Sequence, residues 1–259
     1  MIIDYHIHTE FSDGKGIFED YINQAMKKKI DEIGFSDHFN FKNPKWSMKI
    51  ENIDVYLSRI LKLKSENELS IKAGIEMDFN PEKIKQTIQF LKKYKFDYVI
   101  GSIHYIKNWC IDDEMELGKW KQKDIDGVYK KYYNLVQQMA KTKIFDIVGH
   151  LDVVKKFNLK PKKDISDILD ETIQTISESK MCIEINTSGL RKPCKETYPE
   201  EKIVKMCFEK GIKITLGSDS HMPDELSADF DKTIKMLKNI GYEKIVIFKN
   251  RKPKEIELG

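Results

Sequence analysis

With 259 residues, 40% of them hydrophobic and 34% charged, the chain can bury a large core and has the balance of an ordinary globular protein. It contains no run of 18 apolar residues, so no membrane span is expected. The net charge of +3 includes lysines at predicted helix ends (Lys27, Lys28, Lys29, Lys92, Lys93, Lys95), and no basic stripe carries interleaved aromatics, so no nucleic-acid partner is expected.

The predicted elements alternate. Short runs rich in Ile and Val predict buried strands over 2–7, 32–36, 71–76, 97–103, 145–149, 181–186, 212–217 and 244–248. Between them, apolar residues at 3.6-residue spacing predict helices over 16–29, 52–67, 81–94, 124–142, 164–179, 199–210 and 227–239. Such alternation along a whole chain implies an α/β fold with a parallel sheet. No Pro/Gly/Ser-rich linker divides it, so one domain over 1–259 is expected. The loops at 40–51 and 105–123 are the longest without periodicity and are candidate substrate-binding segments. The start, MIIDYHIH, lacks the regions of a signal peptide, and a cytoplasmic location is expected. The cysteines, Cys110, Cys182, Cys194 and Cys207, form no C-x-x-C pair, and neither a disulfide frame nor a thiolate metal site is expected.

All six histidines, His6, His8, His38, His104, His150 and His221, lie at or just beyond the C-terminal end of a predicted strand. Glu76 marks the end of the third strand, and Glu184, Asn186 and Arg191 mark the sixth. The marked ends fall 28 to 46 residues apart, the length of one βα unit each. Seven such units can close into a barrel, and barrel enzymes gather their chemistry at the C-terminal rim of the strands. Residues far apart in sequence would then converge. His6 and His8, at i and i+2 on one strand, point the same way, and Asp219 and His221 repeat the device on the seventh strand.

Imidazole and carboxylate are ligands for Zn, Mn and Fe. The converging set, His6, His8, Asp13, His38, Glu76, His104, His150, Asp219 and His221, is too large for one ion and suits two or three, with Glu76 as the natural bridge. Within it, Glu76, Asp219 and His221 are expected to be catalytic. Two metals held close together can present a bridging hydroxide near neutral pH.

In chain order the motifs H-x-H-T-x-x-S-D-G, S-D-H, G-x-E-x-D, G-S-x-H, G-H-x-D and G-S-D-S-H span residues 4 to 222 and resemble the PHP superfamily of metal-dependent phosphoesterases. GSIHYIKNW, GHLDVVKKF and EINTSGLRKP resemble its histidinol-phosphatase branch. The resemblance implies a distorted (β/α)7 barrel, TIM-like but one strand short, with a trinuclear centre. It places His6, His8, Glu76 and Asp219 on the first metal, Glu76, His104 and His150 on the second, and Asp13, His38 and His221 on the third. Where some members of the family carry histidine, this chain has Asp13. It also implies hydrolysis of L-histidinol phosphate to L-histidinol and phosphate, a late step of histidine biosynthesis. The alternative is another phosphate monoester: a nucleotide, a sugar phosphate or phosphotyrosine. An exonuclease of the same superfamily would want a larger chain or a basic track, and a metal-carrying barrel without turnover would leave the filled ligand positions unexplained.

Arginine occurs only at 59, 191 and 251, whereas lysine is used almost everywhere else a cation stands. Arg191, in the loop after the sixth strand, is expected to grip phosphate through its planar fork. The family often has a basic residue, commonly arginine, after G-H-x-D; here Lys155 and Lys156 occupy that region, and Lys155 is expected as the second phosphate contact. In the 105–123 loop, Trp109 as a flat wall and Asp113, with Asp112 and Glu114, are expected against a cationic head group.

Overall fold

A computed structural model describes residues 1–259. Its strands and helices run β1 (Ile3–Asp4), α1 (Phe18–Lys28), β2 (Glu32–Phe35), β3 (His38–Phe39), α2 (Ile53–Glu66), β4 (Ser70–Ala73), β5 (Glu76–Asp78) and α3 (Ile84–Lys93). They continue with β6 (Ile100–Ser102), β7 (Tyr105–Ile106), β8 (Trp109–Cys110), α4 (Leu117–Trp120), α5 (Ile125–Thr142), β9 (Ile147–Val148), α6 (Ser166–Ser179) and β10 (Cys182–Asn186). The last are α7 (Glu201–Glu209), β11 (Ile214–Gly217), α8 (Phe230–Ile240), β12 (Lys244–Lys249) and β13 (Lys252–Glu257). The helices are set by their ends as well as by periodicity. In α1, Glu19 and Asp20 occupy the first turn and Lys27 and Lys28 the last, each sign favoured by the helix dipole there.

The seven predicted strands form a ring. β1, β2 and β4 pair in parallel; β2 and β4 are continued, after short breaks, by β3 and β5, which pair with each other and lead through β6, β9 and β10 to β11. Closure comes from the segment after β1. Tyr5 N–H donates to Leu216 O at 3.1 Å and His8 N–H to Ser220 O at 2.9 Å on one side, while Ser36 N–H donates to Ile7 O at 2.9 Å on the other. A helix follows each of the seven strands, giving the distorted (β/α)7 arrangement.

The barrel interior is filled by side chains. Tyr5 and Tyr98 stack with ring centroids 4.6 Å apart, and Tyr98 O–H donates to Tyr5 O at 2.6 Å. Gly34 and Gly74 make this possible, since a Cβ on either would lie 2.2 Å from a Tyr98 side-chain atom. Below them Glu32 is buried with Ser70 and Lys72 at 2.6 and 3.1 Å, so its charge is paired.

The eighth predicted strand, 244–248, is real but stands outside the ring. It is β12, which pairs antiparallel with β13 into a hairpin and offers Phe248 N–H to Tyr5 Oη at 3.1 Å. The hairpin turn is anchored by Asp97, whose carboxylate accepts from Asn250 N–H at 3.2 Å, Ala73 N–H at 3.0 Å and Lys64 Nζ at 2.7 Å. Arg251 adds a two-pronged grip on Asp146, at 2.8 and 3.0 Å. No helix is long and apolar enough to cross a membrane.

Candidate metal centre at the barrel mouth

All nine expected metal-binding residues meet at the C-terminal ends of the strands. Glu76 is central: its Oε2 lies 2.5 Å from His38 Nδ1, 3.3 Å from His6 Nε2 and 3.7 Å from His8 Nε2. Its Oε1 lies 2.8 Å from His150 Nε2 and 3.5 Å from His104 Nε2, and those two nitrogens are 3.2 Å apart. Asp219 Oδ1 sits 3.1 Å from His8 Nε2 and 3.7 Å from His6 Nε2. Asp13 Oδ1 sits 3.3 Å from His221 Nε2 and 3.7 Å from His38 Nε2.

Ligand atoms within 4.8 Å of one another form three groups: His8, Asp13, His38 and His221; His6, His8 and Glu76; His38, Glu76 and His104. His8 and His38 each belong to two of these, so the grouping is more shared than the resemblance implies.

Local backbone explains the convergence. Residues i and i+2 of an extended chain project to one side, and His6 and His8 use this in the segment after β1, where Ile7 bridges Ser220. At the seventh, Asp219 adopts φ +52°. That left-handed turn is uncommon for a residue with a side chain and is found at functional sites. It lets Asp219 and His221 both reach the cluster, His221 Nδ1 lying 3.1 Å from Asp219 O.

The clustered imidazoles and carboxylates shift one another's ionisation. Glu76 and Asp219 are held well below the usual carboxylate range: burial opposes this, but His38 and His6 for Glu76, and His6 and His8 for Asp219, outweigh it. Burial also opposes charge on His104 and His221, yet Asp78 and Glu76 raise the first to about 10, and Asp13 and Asp219 raise the second to about 9. His8 is lowered to about 3 by burial and by the neighbouring His38 and His221 rings. Several buried atoms at the centre, among them His6 Nε2, Glu76 Oε2 and Asp13 Oδ1, lie close to one another's groups yet make no well-aligned hydrogen bond. Buried polar atoms are rarely left so. An inward-facing set of orphaned imidazole and carboxylate donors fits divalent transition-metal ions.

Two carboxylates that the sequence reading left without a role hold these rings in place. Glu184 Oε1 lies 2.5 Å from His6 Nδ1, and its Oε2 accepts from His150 N–H at 2.9 Å. Asp78 Oδ1 lies 3.0 Å from His104 Nδ1. In both cases the ring nitrogen away from the centre is engaged and Nε2 is turned inward, as carboxylates behind ligating histidines commonly arrange. The signal was present: Asp78 is i+2 from Glu76, as His8 is from His6.

The substrate contacts expected from sequence divide. Arg191 is at the rim, its Nη2 donating to Ser218 O at 2.8 Å and its Nε 3.5 Å from Glu225, whose other oxygen accepts from His221 N–H at 2.9 Å. Arg191 Nη1 is buried without a partner. Lys155 is a correction. It is buried, and its ammonium is held by Asp152 at 2.8 Å, Glu196 at 3.2 Å and Thr197 O at 2.9 Å, so it is not a free cation. Lys156 is the partly exposed neighbour, donating to Asp112 O at 2.5 Å. The Asp112 carboxyl is lowered by His104, Lys156 and His150 against the opposing effect of burial.

Trp109 is a second correction: it packs edge-on against Trp120 at 5.0 Å. The aromatic wall over the cluster is Trp46, from the 40–51 loop, edge-on to His38 at 4.8 Å and to His104 at 5.6 Å. The Asp113 carboxylate accepts from Met115 N–H at 2.8 Å and caps the turn at 114–116.

Residues 4–188 match the model of the PHP domain. Over 257 residues the chain is 31% identical to a protein of Deinococcus radiodurans named "Probable histidinol-phosphatase", covering 97% of this chain and 98% of that one. It is 27% identical to the histidinol-phosphatase of Lactococcus lactis, covering 96% and 95%. The structure of a Lactococcus lactis histidinol phosphate phosphatase, complexed with Zn, L-histidinol and phosphate, is similar with a TM-score of 0.86, at 25% identity and 98% coverage of both chains. By its motifs, its ring of strands and this match across most of its length, the chain belongs to the PHP domain family.

Proposed function

We propose that the chain is a metal-dependent histidinol-phosphatase, releasing phosphate from L-histidinol phosphate. The observation that carries this is the cage of six histidines and three carboxylates with its orphaned, inward-facing atoms. Support comes from full-length similarity to proteins named for that activity and to a structure holding Zn, L-histidinol and phosphate.

His6, His8, Asp13, His38, Glu76, His104, His150, Asp219 and His221 would hold two or three divalent ions, Mn, Fe or Zn, with Glu76 shared between them. Such ions supply Lewis acidity toward phosphate oxygens and a strong nucleophile at neutral pH. The chain's own residues do the rest. Arg191, tied to Ser218 O and near Glu225, would offer its unpaired Nη1 to the phosphate. Trp46 walls the mouth beside His38 and His104 and keeps water from that side. Asp112 and Lys156 set the charge at the far edge, where the cationic head group would lie. A cytoplasmic place in histidine biosynthesis goes with this reading.

The test is phosphate release from a panel of monoesters by the metal-loaded protein. A kcat/KM for L-histidinol phosphate well above that for nucleotide, sugar and tyrosine phosphates supports the reading. Equal values across the panel assign the site to another monoester.

A further inference from the structure

We propose that Asn40 and Asp78 form a positioning relay that fixes the metal-facing nitrogen of His104 and ties it to the loop carrying Trp46. The proposal rests on the metal-site reading above.

Asp78 is the middle member. Its Oδ1 receives His104 twice, from the backbone N–H at 3.2 Å and through Nδ1 at 3.0 Å. Its Oδ2 accepts from Asn40 Nδ2 at 2.7 Å. Asn40 and Asp78 sit on neighbouring strand ends, because β3 pairs with β5 in the register His38↔Glu76 and each residue lies two positions further on. All three side chains are screened from solvent, so the geometry is set by packing and not by a mobile surface contact.

Asn40 also organises the loop that follows it. Its Oδ1 accepts from Lys42 N–H at 2.8 Å, its carbonyl from Asn43 N–H at 2.8 Å, and its own N–H donates to Ser47 Oγ at 2.9 Å. The loop so formed places Trp46 against His38 and His104. Two further ties run to the hairpin after His104: Lys42 Nζ donates to Lys107 O at 2.8 Å, and Trp46 stacks on Tyr105 at 6.2 Å. One asparagine thus touches both the carboxylate behind a metal-facing ring and the turn that seats the aromatic wall. Partners of this kind behind a ligating histidine commonly change metal affinity by about 10–100-fold when removed.

The experiment is Mn2+ titration of the metal-stripped full chain, read by the EPR signal of free Mn2+, for the wild type, Asn40→Ala and Asp78→Asn, with thermal unfolding of each apo protein in parallel. Both variants are expected to unfold near the wild-type temperature and to bind one Mn2+ equivalent about 10–100-fold more weakly. Asn40→Ala is further expected to raise KM, because the Trp46 turn loosens, whereas Asp78→Asn mainly lowers metal affinity. Folded variants that titrate like the wild type overturn the relay. If Asn40→Ala does not fold, Asp78→Asn alone decides the matter, since it preserves shape. A wild type that binds no Mn2+ contradicts the metal-site reading itself, a different outcome from failure of the relay.

Discussion

His6 Nδ1 and Glu184 Oε1 lie 2.5 Å apart, both buried, beside a glycine that leaves them room: a Cβ at Gly217 would fall 2.0 Å from that same carboxylate oxygen. The pair orients His6 Nε2 toward Glu76 and Asp219. Glu184 also holds the start of the fifth rim loop through His150 N–H. Replacing Glu184 by Gln keeps the shape and removes the charge. The expected outcome is a folded protein with metal affinity reduced about 10–100-fold, measured by titrating the stripped chain. Unchanged affinity would show that the pair serves packing alone.

Arg191 is the only arginine at the mouth. Arg59 is engaged by Glu10 and Glu19, and Arg251 by Asp146. A planar guanidinium can keep one prong on Ser218 O and present another in fixed geometry to phosphate, whereas lysine offers a single point charge without that fork. Arg191→Lys is therefore expected to raise KM about 10–100-fold, the equivalent of losing one charged hydrogen bond of about 1.5–3 kcal/mol. Steady-state kinetics on the purified variant check this, and a wild-type KM would remove Arg191 from the phosphate site.

Lys155 and Lys156 are adjacent yet are expected to fail in opposite ways. Lys155→Met leaves Asp152 buried without its 2.8 Å partner and is expected to cost about 3–5 kcal/mol of stability. Lys156→Met removes a cation at the rim and is expected to spare the melting temperature while altering kcat/KM. Urea unfolding and kinetics on both variants separate the two roles, and a stable Lys155→Met protein with damaged kinetics would reverse them.

Asp97 gives an acid-sensitive tie between β4, α2 and the C-terminal hairpin. Burial opposes its ionisation, but Lys64 and the N–H groups of Ala73 and Asn250 hold its carboxyl below the ordinary value. The folded state therefore binds this proton less readily than the unfolded chain. Its contribution is complete above about pH 4 and is lost as the pH falls through the lower folded value. Asp97→Ala is expected to cost about 1–3 kcal/mol near neutrality and to flatten the loss of stability below about pH 4, measured by urea unfolding across pH. A variant as acid-sensitive as the wild type would place that sensitivity elsewhere.

The strand ends were legible because barrel topology sends every one of them to the same rim and because a period of two needs no knowledge of neighbours. His6 with His8 follow from that alone, whereas Asp219 with His221 also need the left-handed turn at Asp219. Asp78 and Glu184 obey the same spacing, but a carboxylate behind a histidine looks, in sequence, like any polar residue at a strand end. Trp46 was hidden for another reason: its direction is set by hydrogen bonds around Asn40, in a loop with no period to read. Lys155 and Lys156 lie at the end of a 3-10 turn, Val153–Lys155, where one position rotates a side chain by about a third of a circle. Choosing between them needs the backbone. β13, with the sequence KPKEIE, has the charges and proline of an exposed edge strand and becomes a strand only through pairing with β12.

The most direct measurement is metal content and phosphate release on one preparation, before chelation, after it, and after divalent metal is restored. The account expects two or three ions per chain, loss of turnover when they are stripped, and recovery on their return. A stripped protein that still hydrolyses L-histidinol phosphate at the full rate would contradict it.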